Sequence, residues 1–222
     1  MFDPNILENG LRGVILSREF YGEKNIVLKI FLENIGIFPA SVFVGTSGRN
    51  HFGGDAEALN WCTFTFKREK KTKYYQVENI ENYDDLMHVR KRYEALKTAL
   101  RWVKDILKYM PFEQPDNQLL VKLYWNMFLL KNNEIPVEAV DFRFYWQWLS
   151  LWGIAPEINV FFKYKKFKEN EINAIKYVTD PNRNKITQLF RTLKEQNYQN
   201  IDQIKYFFSK TTKIIKPFFY EK

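Results

Sequence analysis

The stretch Gly10–Val44, GLRGVILSREFYGEKNIVLKIFLENIGIFPASVFV, reads as three strands joined by two glycine turns. Within it Ile26, Leu28, Ile30 and Leu32 fall on one side and Lys29 and Glu33 on the other, the period of two of a half-buried strand. Val27 and Phe31 make the second side partly apolar. Gly22 and Gly36 stand where the chain must reverse, and glycine alone takes positive φ without a steric cost.

Downstream, Gly45 to Gly54 holds four glycines without a period and reads as a loop, followed by a short helical turn over Asp55 to Leu59. Asn60 to Arg68 alternates Cys62, Phe64 and Phe66 against Trp61, Thr63 and Thr65, and Lys73 to Ile80 has the tyrosine and valine content of its hairpin partner. Five strands with a glycine-rich excursion after the third fit a small closed barrel of the OB type. From Asp84 the period changes. Leu86, Val89, Tyr93, Leu96, Leu100, Val103, Leu107 and Met110 recur at intervals of three and four, which predicts one long helix with that stripe as its buried face. Asp116 to Leu130 is apolar nearly all round and reads as the central helix of a bundle. Pro136 to Trp152 opens on proline and closes on Gly153, and its aromatic side chains, Phe142 to Trp152, read as core. Helices are expected at Glu169 to Val178, Lys185 to Gln196 and Asp202 to Ile215, with Asp180-Pro181-Asn182 as a turn. The expected organisation is α+β: a five-stranded barrel over residues 1–81, then an all-helical bundle over residues 82–222, joined at a short polar junction near Glu81-Asn82-Tyr83.

Several of these segments carry a family resemblance. Val14 to Phe31, with Tyr21-Gly22-Glu23 ahead of an apolar strand, then Gly36 and Val42-Phe43-Val44-Gly45, resembles the N-terminal domain of the RecO recombination mediators of bacterial DNA repair. The resemblance continues into the tyrosine-bearing helix near Tyr93 and into Gly153-Ile154-Ala155-Pro156-Glu157-Ile158, and so covers roughly the first 160 residues in the order of the elements. It implies an OB barrel, binding of single- and double-stranded DNA without sequence preference, strand annealing, and loading of the recombinase on strand coated by single-stranded-DNA-binding protein. It also implies two protein partners, RecR and the acidic, phenylalanine-ended tail of that binding protein.

Two departures from the family stand out. Many RecO-like proteins carry a cysteine cluster for zinc after the Gly153 to Ile158 motif; here that place reads Asn159 to Tyr164, and Cys62 is the only cysteine, so no zinc module is expected. The basic run that follows the third strand in the family is reduced to Arg49.

The 222 residues carry a net charge of +8, and the excess is C-terminal: residues 151–222 hold 14 lysines and arginines against 7 acids. A lysine-rich solvated surface is the plain reading, and a polyanion partner the functional one. Aromatic residues make up 18% of the chain, ample for packed cores and against disorder. A lone cysteine excludes an internal disulfide, no apolar run approaches the roughly 20 residues of a membrane span, and no basic start or apolar signal core opens the sequence. A cytoplasmic, membrane-free location is expected. Neither His51 nor His88 has a local cysteine, serine or carboxylate arrangement that suggests a triad, and no glycine-lysine phosphate loop is present, so catalysis and a cofactor are not expected.

The candidate nucleic-acid contacts centre on Phe64 to Tyr75, FTFKREKKTKYY, where Lys67, Arg68, Lys70, Lys71 and Lys73 are interleaved with aromatic rings. Single-strand binders combine such cations with aromatic faces. Phe64 and Phe66 themselves alternate inward by register and read as core. Arg18, Lys24 and Arg49 in the first three strands and their loops are further candidates, as are Arg90, Lys97 and Arg101, which with Lys104 and Lys108 form a basic helical stripe. Lys163, Lys165, Lys166 and Lys168, beside the aromatic residues of Phe142 to Phe167, are the candidates for the acidic tail of the partner. A protein adaptor with incidental DNA affinity and an RNA-binding or annealing protein remain alternative readings.

Overall fold

The computed structural model describes residues 10–21, 25–43, 52–67, 74–84, 86–157, 169–195 and 201–216. The chain divides into two compact units, Met1–Leu120 and Val121–Lys222.

The first unit is built on a closed barrel of five strands, β1 (Leu11–Tyr21), β2 (Asn25–Leu32), β3 (Gly36–Phe43), β4 (Trp61–Lys67) and β5 (Tyr75–Asp84), in the order β1-β2-β3-β5-β4. The β1–β2, β2–β3, β4–β5 and β1–β4 pairings are antiparallel, whereas β3 and β5 run parallel and pair only through Ala40 with Tyr75 and Ser41 with Gln76. Register explains the core. Ile26, Leu28, Ile30 and Leu32 pair across to Val42, Ala40, Phe38 and Gly36, so one side of each strand converges, with Phe64, Phe66 and Val77, on a single apolar interior. The polar segment Glu81-Asn82-Tyr83, expected as the junction to the helical part, instead belongs to β5, which runs on to Asp84 opposite Trp61.

The described part of the excursion between β3 and β4 includes a 3₁₀ turn, Gly53–Ala56. It is pinned at two points. The Asn60 amide donates to the carbonyls of Gly54 (2.7 Å) and Asp55 (3.0 Å), and Arg90 donates to Ala58 O (2.6 Å) and Asn60 Oδ1 (2.8 Å).

Helix α1 (Tyr93–Tyr109) follows a 3₁₀ turn over Leu86–Lys91, so the long helix expected from Asp84 starts about two turns later. Its buried face differs from the expected one as well: Ala95, Thr98, Ala99, Trp102, Val103 and Ile106 are covered, whereas Tyr93 is 72% and Leu100 42% exposed. Small residues at 95 and 99 let the backbone approach closely, and the Trp102 indole on the same face is fully buried. The chain then crosses the β2–β3 end of the barrel. Glu113 N–H donates to Ile37 O (3.0 Å), Phe112 bridges Ile37, and Asn34 and Asn117 exchange hydrogen bonds at 2.7 and 2.6 Å. Gly36, at φ +93°, lies so close to the Gln114 backbone that a Cβ would collide with it. Asp116 accepts the N–H of Leu119 (2.9 Å) and so caps α2 (Asn117–Asn132), which continues into the second unit.

The second unit is helical: the remainder of α2, then α3 (Val137–Leu151), α4 (Glu169–Thr179), α5 (Arg183–Glu195) and α6 (Ile201–Ile215). Helix α3 is its centre, buried from Ala139 to Leu149, and its rings pack at tilted angles on one another and on Phe208 of α6. Pro136 precedes its first turn and Gly153, at φ +69°, follows its last, the start and stop read from the sequence. Among the described residues no helix is long and apolar enough to cross a membrane.

Candidate nucleic-acid interface

The expectation that Phe64 and Phe66 point inward holds: both rings are buried in the barrel and stack at 6.1 Å. The aromatic rings that face solvent come from elsewhere. Tyr21 pairs with Asn25, and Asn25 with Phe43, so Tyr21 and Phe43 share a row on the outer face across β1, β2 and β3. They are 54% and 45% exposed, and Phe20 beside them is 75% exposed. The Tyr21 ring meets that of Tyr74, at the start of β5, edge to face at 5.9 Å. That contact joins the end of β1 to the start of β5 at one end of the barrel.

Two of the candidate cations are described near this end. Lys67 is exposed at the last residue of β4, in a row with Gln76 and Ser41. Arg18 holds Glu57 in an ion pair and lays its guanidinium 5.8 Å from the Phe20 ring, which orients that ring as much as it offers charge. Lys24, Arg49, Arg68, Lys70, Lys71 and Lys73 lie outside the described residues, as do Lys163, Lys165, Lys166 and Lys168. Lys97 is exposed on α1, Arg101 is half-buried, and Arg90 is committed to the loop before β4 as described above. Sequence reasoning missed Phe20, Tyr21 and Phe43. The available signal was two adjacent aromatics running into a glycine turn, which alternation alone treats as ordinary strand.

The second unit has a separate feature, a cavity of ≈ 280 Å³ bordered by α2, α3 and the α4–α5 turn. Val121, Trp125, Leu129 and Pro181 give it apolar walls and Lys122 a cation. At its floor Arg143 is buried. Its Nη1 donates to Val178 O and Asp180 O, both at 2.5 Å, and its Nη2 to Pro181 O at 3.3 Å, so it satisfies carbonyls left open where α4 ends. Burial pushes this guanidinium down to about 10, partly opposed by Asp180, so it stays charged at neutral pH. The Gln147 amide lies 2.9 Å from Asn126 Nδ2 and, turned over, presents its oxygen to Arg143 at 3.1 and 3.3 Å. Asn126 is 1% exposed, and its Oδ1 has no hydrogen-bond partner among the described residues.

Cys62 is buried in the barrel with its thiol pushed up to about 12, by burial first and Asp55 second, which makes it a small apolar side chain in effect. His88 is exposed, its Nε2 3.4 Å from Lys91 Nζ. Among the described residues no group of three or more histidines, cysteines and carboxylates could hold a metal ion.

The geometry defines a closed-barrel protein with an open aromatic end. Neither the protein-family models nor the curated proteins contain a match to the chain.

Proposed function

We propose that this protein is a RecO-like recombination mediator, binding single- and double-stranded DNA through its barrel, annealing complementary strands, and cooperating with RecR to load the recombinase. The observation that carries the reading is the aromatic end of the barrel: strand register sets Tyr21 and Phe43 on the outer face, and Phe20, at the end of β1 in the Ile26–Val42 row, is exposed as well, where an apolar ring gains little unless a flat partner covers it. The strand order, with β3 parallel to β5, supports an OB-type barrel. In such barrels the β1–β2 and β4–β5 loops flank the ligand, and here those loops carry Lys24 and Arg68, Lys70, Lys71 and Lys73. No zinc module is proposed, since Cys62 is the only cysteine. Catalysis is not part of the reading.

The cavity beside α2 supports the second partner. An acidic tail ending in phenylalanine needs an apolar pocket for its ring and a cation for its carboxylates; Trp125 and Leu129 supply the first and Lys122 the second. A short peptide of this kind is expected to bind in the micromolar range, about −8 kcal/mol, and the same peptide without its last residue to bind more weakly. Equal binding would reduce the effect to charge alone.

Titration of a fluorescent single strand at several salt concentrations tests the DNA reading. Each phosphate contact contributes about −0.7 to the slope of log affinity against log salt, so replacing Lys70, Lys71 and Lys73 by alanine is expected to flatten the slope by about two. An unchanged slope moves the phosphate track away from the hairpin, and an RNA strand that binds better than DNA overturns the repair assignment.

A further inference from the structure

Helix α1 carries two overlapping apolar faces and buries only one of them fully. Tyr93, Leu96, Leu100, Val103 and Leu107 follow one another at intervals of three, four, three and four, the a and d positions of two heptads. In an ordinary amphipathic helix that seam would face the core. Here the buried face is centred about a third of a turn away, on Ala95, Ala99, Trp102 and Ile106, and the seam is covered only in part. Both a positions that lead a heptad, Tyr93 and Leu100, are exposed, Leu96 and Leu107 are half-buried, and only Val103 is covered.

The charge beside the seam has one sign. Lys97 and Lys104 stand four residues after Tyr93 and Leu100, the e positions, and both are exposed; Lys108 continues the same edge. Lys97 already lies over the Tyr93 ring at 5.5 Å. At 1.5 Å per residue Lys97 and Lys104 are about 10.5 Å apart along the axis, the two-turn repeat at which a facing helix places its own e or g residues.

We propose that this face of α1 is a docking surface for an acidic amphipathic helix of another protein, whose leucine-like seam covers Tyr93 and Leu100 and whose carboxylates meet Lys97 and Lys104. A second copy of this chain is a poor occupant, because pairing the stripe with itself sets lysines against lysines. A phosphate backbone satisfies the lysines but leaves Tyr93 and Leu100 without an apolar partner. Lys97 is thereby reassigned from a nucleic-acid contact to a protein contact. The surface is independent of what the barrel binds.

The test uses the full chain and a synthetic peptide of about three heptads with leucine at a and d and glutamate at e and g, which cannot pair with itself at neutral pH. A peptide of identical composition in permuted order is the control. The heptad peptide is expected to bind at least about tenfold more tightly than the permuted one, and a 20-base-pair duplex to leave it bound. Tyr93→Ser combined with Leu100→Ser, both at exposed sites, is expected to weaken the peptide at least about tenfold with an unchanged melting temperature and unchanged duplex affinity. Lys97→Glu with Lys104→Glu is expected to abolish peptide binding. Equal binding of the two peptides, no binding of either, or full affinity in the double-serine variant overturns the proposal. Displacement of the peptide by duplex, with duplex affinity lost in the double-serine variant, gives the face to nucleic acid instead.

Discussion

At one end of the barrel the β2–β3 turn is packed under the chain that links α1 to α2; at the other, β1 and β3 end on aromatic rings that are half-exposed or more. The two ends sit at opposite termini of the same strand, β2, and share its register. At the closed end β3 has no β5 partner before Ala40, so the Ile37 carbonyl would be left open, and the Glu113 N–H satisfies it. Backbone need and close approach at Gly36 thus fix that end. At the other end the rings of Phe20, Tyr21 and Phe43 are exposed, and Arg18 lies against the first of them. On the function proposed above, substitutions at the closed end are expected to act on stability and those at the open end on binding.

The same residue type on the two sides of this divide gives the largest contrast. Phe64 is 0% exposed, and Phe64→Ala is expected to cost about 3–5 kcal/mol of unfolding free energy in a denaturant titration. Gly36→Ala should follow at about 3 kcal/mol, because the added Cβ meets the Gln114 backbone at a positive φ and neither side can yield cheaply. Asn117→Ala removes both bonds to Asn34 in an exposed setting and should cost about 1 kcal/mol. Phe20→Ala at the open end should change stability by less than about 0.5 kcal/mol. A Phe20 loss as large as that of Phe64 would mean the open end is part of the core.

Much of the barrel was legible in sequence because alternation is read directly from neighbouring residues: Ile26, Leu28, Ile30 and Leu32 point inward as their spacing requires. The helix ends at Pro136 and Gly153 and the turn at Asp180 to Asn182 were legible for the same local reason. Helix α1 was not. Its heptad seam is the stronger periodic signal, yet the barrel accepts the face of Ala95 and Ala99, since small residues permit an approach that larger ones prevent, and periodicity cannot rank two faces by fit. Arg90 misled similarly: its charge reads as surface, whereas its donors are needed by the carbonyls of a distant loop. The aromatic end was missed because exposure there depends on where β1 outruns its neighbour β4, which pairs with it only from Leu11 to Val14. The cavity floor joins Asn126, Gln147 and the turn after α4, residues far apart in the chain.

The central claim is that the open end of the barrel binds unpaired bases by stacking. The most direct measurement is the affinity of a fluorescent single strand for the Tyr21→Ala, Phe43→Ala double variant, taken alongside its melting temperature. Stacking contributes about 1–3 kcal/mol per base, so the account predicts an affinity loss of at least about tenfold with the salt slope and the melting temperature unchanged. Unchanged affinity in a folded variant would contradict it.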